Sequence, residues 1–179
     1  MSRFHFKTMS KRPHTTLHVA GTALLFVSFV MLVCSFVELS DNKSIYPLLA
    51  ASIICGLIGG LARLSTKPGT LGQAEIFSAV GGAYLFVSLF GTLPYLFAGT
   101  FDYGGSNSLI EFTDALFESI SGYTATGSTV FGSHNPIESH GTGILLYRQL
   151  TQWLGGLGIV VLVVTVLPSL RASGLGLIS

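Results

Sequence analysis

Four stretches of the chain run without a charge for long enough to cross a membrane: residues 17–37, 45–62, 76–98 and 150–170. Each predicts a helix, because roughly 20 apolar residues at 1.5 Å per residue match a ~30 Å hydrocarbon core. Between the third and the fourth lies a different kind of segment, EFTDALFESISGYTATGSTV at 111–130. Ser108-Leu109-Ile110-Glu111 fits a capping box, so a helix is predicted to start at about Leu109. Glu111, Asp114 and Glu118 fall on one face and Phe112, Leu116 and Ile120 on another, with the acids expected to meet water or polar partners. A helix over 109–121 reaches only ~20 Å, too short to span, so it dips in and returns. Gly122 is expected to end it, and a loop rich in Thr, Gly and Ser follows.

Composition supports that reading. Of 179 residues, 49% are hydrophobic and 9% charged, whereas soluble domains carry roughly a quarter charged residues. The fold class is therefore an all-α integral membrane protein, with four transmembrane helices and one re-entrant pore helix and loop. A cleaved signal peptide is disfavoured, since the first run exceeds the usual apolar core and no A-x-A site follows it. If the N-terminus is cytoplasmic and each run crosses once, seven of the nine basic residues fall inside: Arg3, Lys7, Lys11, Arg12, Arg63, Lys67 and Arg171. Lys43 and Arg148 stay outside, which satisfies the positive-inside rule. Arg148 marks the entrance of the fourth run, where a long cation is expected to snorkel to the headgroups. Cys34 and Cys55, inside apolar runs, read as small buried hydrophobes. Gly56 and Gly60 form a G-x-x-x-G that lets another helix of the chain approach closely.

Non-helical backbone at membrane depth persists only where protein buries it or water wets it. In an ion filter such backbone has a use, because its carbonyls replace the hydration shell of a cation. The strand needs small side chains, hydroxyls, and a glycine for unusual dihedrals. Thr124-Ala125-Thr126-Gly127-Ser128 meets those needs, and the helix before it would aim a partial negative charge at the ion. Enzyme readings fare poorly. His5, His14, His18, His134 and His140 read as solvated or edge residues without metal or triad spacing. No phosphate-binding G-x-x-x-x-G-K-[ST] occurs. The basic N-terminus is explained by topology before any nucleic-acid contact.

The run from Phe117 through Gly122 to Thr129, then Leu146-Tyr147-Arg148-Gln149-Leu150-Thr151-Gln152-Trp153-Leu154-Gly155-Gly156-Leu157-Gly158, closely resembles the first pore repeat of TrkH/KtrB-type potassium transporters. Leu93-Pro94-Tyr95 resembles the same family. The resemblance implies four helix–pore loop–helix repeats around a potassium-selective pore, preceded in the TrkH branch by an extra helix pair. It divides the chain into a cytoplasmic segment (1–16), a helix pair (17–70), one pore repeat (71–170) and a tail (171–179). It implies that Thr124, Ala125, Thr126 and Gly127 bind potassium, chiefly through backbone oxygens at Ala125 and Thr126, with Ser128 flanking the filter. The family often has T-T-T-G where this chain has T-A-T-G. Gly155, Gly156 and Gly158 would let the fourth helix pack on the pore helix.

One repeat supplies a quarter of a coordination ring. The expectation is therefore a piece of a longer four-repeat chain, with a homotetrameric cation channel or a non-conducting scaffold subunit as alternatives. The resemblance also implies potassium transport without a cofactor, in a bacterial inner membrane. Its partners would be potassium, lipid, the remaining repeats or like subunits, and a cytosolic nucleotide-binding regulatory ring.

Overall fold

The computed structural model describes residues 13–67, 73–104 and 107–170. The basic residues Arg3, Lys7, Lys11, Arg12 and Arg171, His5, and the tail 171–179 lie outside the described residues. Six α-helices are present among the described residues: α1 (Pro13–Glu38), α2 (Tyr46–Leu64), α3 (Gln73–Phe90), α4 (Leu93–Phe97), α5 (Ser108–Tyr123) and α6 (Thr142–Leu170). No strand occurs there, only one isolated bridge between Gly132 and Asn135. Three stretches are long and apolar enough to cross a membrane: Thr15–Asp41, Tyr46–Leu64 and Ile76–Phe97. The backbone of α6 covers the whole fourth run and starts upstream of it. The protein is an all-helical, multi-pass membrane protein.

Small residues bring α1 and α2 together. A Cβ added to Gly59 would lie 2.8 Å from the Gly21 carbonyl oxygen, and one added to Gly21 would lie 2.9 Å from that of Gly59. In lipid, where apolar burial gives helices no reason to associate, such close backbone approach supplies the attraction. Ser28 Oγ donates to the Ser52 carbonyl at 2.8 Å, and Ser52 Oγ donates to the Ser28 carbonyl at 2.7 Å. The G-x-x-x-G reading is half right. Gly56 does face α1, where an added Cβ would meet Ser28 Oγ at 2.9 Å, but Gly60 faces open space. The contact is within the chain, as expected.

The third run is not one straight helix. It breaks after Phe90, and α4 begins at Leu93 with Pro94 in its first turn. Proline lacks an amide hydrogen, so a helix through it would leave the carbonyl four residues earlier without a donor. That residue is Phe90, whose oxygen faces Cys55 Sγ at 3.9 Å. The next carbonyl, of Gly91, accepts from Tyr147 Oη at 3.0 Å. Cys34 and Cys55 are both free and buried, in a core that also contains Leu24, Met31, Leu48, Tyr95 and Tyr147.

The start of α6 is fastened by acids at the end of α1 and just past it. Asp41 Oδ2 accepts from the Thr142 amide at 2.7 Å, and Glu38 Oε2 accepts from the Ile144 amide at 3.2 Å. Carboxylates suit a helix N-terminus because its first amides lack intrahelical partners and carry partial positive charge. The end of α1 and the turn after it are thereby tied to α6.

Candidate pore loop

The short helix exists, with its start shifted by one residue. Asn107, not Ser108, is the N-cap, its Oδ1 accepting from the Leu109 amide at 3.1 Å. Asparagine ranks with serine as a cap, so Ser108 becomes the first helical residue and the predicted box does not close. At 16 residues α5 is longer than expected, yet ~24 Å still falls short of a membrane span. Gly122 does not end it either. The helix continues to Tyr123, and Gly122 instead makes room for α6, since an added Cβ would press into Thr151, 3.0 Å from its Cβ.

Left-handed backbone ends the helix later, at Ala125 (φ 54°) and Gly127 (φ 76°). The loop amides fold back onto the last helical carbonyls: Thr124 N to Ile120 O at 2.9 Å, Ala125 N to Gly122 O at 2.9 Å, and Thr126 N to Ser121 O at 3.0 Å. Thr124 Oγ1 donates to the Ile120 carbonyl and lies 2.8 Å from Thr126 Oγ1. Thr124, Ala125, Thr126, Gly127 and Ser128 thus sit together on one exposed loop. Among the described residues nothing donates to the carbonyl oxygens of residues 124–127. The chain presents four successive acceptors, and the amides of Thr124, Ala125 and Thr126 are turned back on the helix.

Sequence reasoning missed what stands behind the loop. Glu118, expected to meet water or polar partners, is only 2% exposed and meets the partners, and Arg148, expected to snorkel, is 8% exposed. Arg148 Nε donates to Glu118 Oε1 at 2.5 Å. Glu118 Oε2 also accepts from Thr129 Oγ1 at 3.0 Å and from the Val130 amide at 3.1 Å. The Arg148 guanidinium lies over the Phe131 ring, 5.8 Å from its centroid. The clue was available: an acid in a segment at membrane depth needs a partner, and the cation at the entrance of the adjacent uncharged run is Arg148.

Three tyrosines support the same region. Tyr123 Oη and Tyr147 Oη are 3.2 Å apart, and the Tyr95 ring packs 5.6 Å from that of Tyr147. The three glycines of α6 have separate roles. A Cβ on Gly155 would lie 2.6 Å from the Tyr123 carbonyl carbon, so this glycine does pack on the pore helix. Gly158 instead faces Tyr84 of α3, and Gly156 has nothing within 4 Å. Tyr84 Oη donates to the Gly155 carbonyl at 3.0 Å.

The return from loop to α6 is also packed. Asn135 Nδ2 donates to the Thr100 carbonyl at 2.9 Å, and His140 Nε2 lies 2.7 Å from Asn135 Oδ1. His140 is half-buried rather than solvated, with its ring 5.2 Å from that of Phe131. Burial, with the Lys43 charge adding to it, lowers its pKa below the ordinary 6.5. His18, on α1, faces Thr66 Oγ1 at 3.1 Å.

Comparison with known proteins agrees with this geometry. The model of the TrkH family, described as cation transport protein, matches residues 44–177. A Trk system potassium uptake protein TrkH of Halomonas elongata is 42% identical over 115 residues, 64% of this chain and 20% of the relative. Its counterpart in Escherichia coli K12 is 38% identical over 111 residues, 62% of this chain and 21% of the relative. The Trk system potassium uptake protein TrkI of Halomonas elongata is 31% identical over 139 residues, 78% of this chain and 25% of the relative. The chain thus spans a fifth to a quarter of the length of these curated relatives. With three quarters of its residues inside the family model and the helix–loop–helix repeat in place, this chain belongs to the TrkH family of cation transport proteins.

Proposed function

We propose that this chain contributes one quarter of a potassium-selective pore in a Trk-type uptake system. The observation that carries this reading is the set of donor-free carbonyls at Thr124, Ala125, Thr126 and Gly127. A dehydrated potassium ion needs a ring of such oxygens, and backbone dipoles supply them without a counter-charge that would trap the ion. The amides of Thr124, Ala125 and Thr126, which would repel a cation, are turned back to the helix end, whose partial negative charge adds to the attraction. Ala125 costs little here, because coordination by a backbone oxygen does not need a hydroxyl.

A single loop covers one side of an ion, so further pore repeats or like subunits complete the ring. Trp153, Leu157, Phe117 and Ile120 are exposed on the two helices that carry the loop, and this apolar surface suits such neighbours or lipid. The division into an N-terminal helix pair over 17–70 and a pore repeat over 71–170 follows. The N-terminus lies in the cytoplasm of a bacterial inner membrane, the side favoured by the basic residues. Transport runs down the electrochemical gradient, at roughly 2.3 kcal/mol per charge per 100 mV. It needs no cofactor, and a cytosolic nucleotide-binding ring is the expected regulator.

The test is growth of a potassium-uptake-deficient bacterium on low potassium, with the chain as its gene encodes it beside Gly127→Ser. At φ 76° a side chain costs roughly 1–2 kcal/mol and turns the adjoining carbonyls. The parent supports growth and the variant does not, at equal membrane amounts. Equal growth with both would refute the filter.

A further inference from the structure

The carboxylate of Glu118 holds more of the loop than its ion pair requires. We infer that Glu118, Arg148 and Thr129 form a brace that positions the far end of the loop and thereby sets the preference for potassium over sodium, an inference that rests on the potassium-pore reading.

The loop is pinned on both sides of its free carbonyls. On the near side Thr124 N is bound to the Ile120 carbonyl at 2.9 Å. On the far side Ser121 Oγ donates to the Ser128 carbonyl at 2.6 Å, and Glu118 takes Thr129 Oγ1 and the Val130 amide. Thr129 Oγ1 in turn accepts from the Phe131 amide at 3.2 Å. What lies between these anchors is the coordinating stretch, so the spacing of its oxygens is set by where the anchors stand. Ions differing mainly in radius and hydration are told apart by how far such oxygens can close in.

The anchors are stiff because the carboxylate is buried. A carboxylate can accept about four hydrogen bonds, and away from water each unfilled position costs free energy. Sliding Val130 or Thr129 away would therefore strip the acid of donors that nothing else replaces. Arg148 acts through Glu118: its Nε holds the acid turned toward the loop. The pair carries no net charge, so its effect on the ion is through position rather than attraction.

The experiment uses the chain as its gene encodes it, with its system partners, in a bacterium lacking other potassium uptake. Rubidium uptake is measured as KM and maximal rate, together with competition by sodium and the amount of protein in the membrane. The variants are Thr129→Val, which keeps the shape and removes the hydroxyl, Glu118→Gln, Arg148→Gln, and Glu118→Gln combined with Arg148→Gln. Glu118→Gln is expected to reduce the preference over sodium roughly tenfold, the scale of one charge-assisted hydrogen bond, and Thr129→Val a few-fold. Arg148→Gln alone should be the most damaging, since it leaves a lone buried carboxylate, and the double variant should recover part of the loss.

If Thr129→Val and Glu118→Gln keep the parent's preference and KM while only membrane amount falls, the pair is structural and the inference is wrong. A parent that takes up no rubidium would overturn the pore reading and the inference together. A working parent with unchanged variants overturns the inference alone.

Discussion

Gly155→Ala is the sharpest perturbation of the contact between α6 and the pore helix. The added methyl would sit 2.6 Å from the Tyr123 carbonyl carbon and 2.9 Å from the Gly122 carbonyl oxygen. Comfortable carbon–carbon contact needs about 3.5–4.0 Å, so roughly 1 Å of separation must be found. Both atoms met are backbone, and no side chain can rotate away. Either α6 moves outward or the end of α5 moves with the loop attached to it. Overpacking of this kind costs about 1–3 kcal/mol, and the rigid neighbours place this case near 3. For a chain of this size that is a Tm loss of roughly 6–12 °C. A 1 Å displacement at a working site also costs on the order of a hundredfold in rate. Gly156→Ala is the internal control, because the next glycine has no atom within 4 Å and alanine favours the helix by about 1 kcal/mol. The assay is a thermal melt of each purified variant in one detergent, with rubidium uptake in cells. If Gly155→Ala melts and transports like the parent, the packing explanation of that glycine is refuted.

Two further outcomes are expected. Glu38→Ala removes the acceptor for the Ile144 amide, and loss of such a cap costs about 1–2 kcal/mol; a thermal melt unchanged against the parent would show that the carboxylate is not needed there. His140, its pKa lowered below 6.5, takes up a proton more readily unfolded than folded, so its contribution to stability is full above about pH 6.5 and is lost as pH falls through the window below. The Tm of the parent should drop across that window, and His140→Asn should flatten the drop; identical profiles would refute it.

Much of this molecule was legible because lipid simplifies the code. Uncharged runs of span length can do little but form helices, and the short helix followed by a Thr/Gly loop stood out for breaking that pattern. The burial of Glu118 was only partly legible, for a physical reason. It shares a helical face with Glu111 and Asp114, but that face is half-buried near the start of α5 and fully buried near its end, so one stripe meets two environments. Its partner lies 30 residues away, and only the closed loop brings them together. The glycines of α6 show the same limit, since spacing cannot tell which faces backbone, which a tyrosine ring, and which nothing. Pro94 was visible, but the break it accompanies depends on Cys55 and Tyr147, from two other helices, meeting the carbonyls there.

The fastenings of α6 are unevenly spread along it. Asp41, Glu38, Glu118, the Gly91 carbonyl and Tyr84 all engage it between Thr142 and Gly155. Beyond Gly158, the described side chains, 159–164, are all apolar. The helix is therefore a rod clamped over its first ~20 Å, with no such fastening among the side chains described just beyond. Bending such a rod concentrates curvature where the clamp ends, at the glycines 155, 156 and 158. The loop at 124–128 sits on the clamped side of that fulcrum, so the far end of α6 can swing while the loop keeps still.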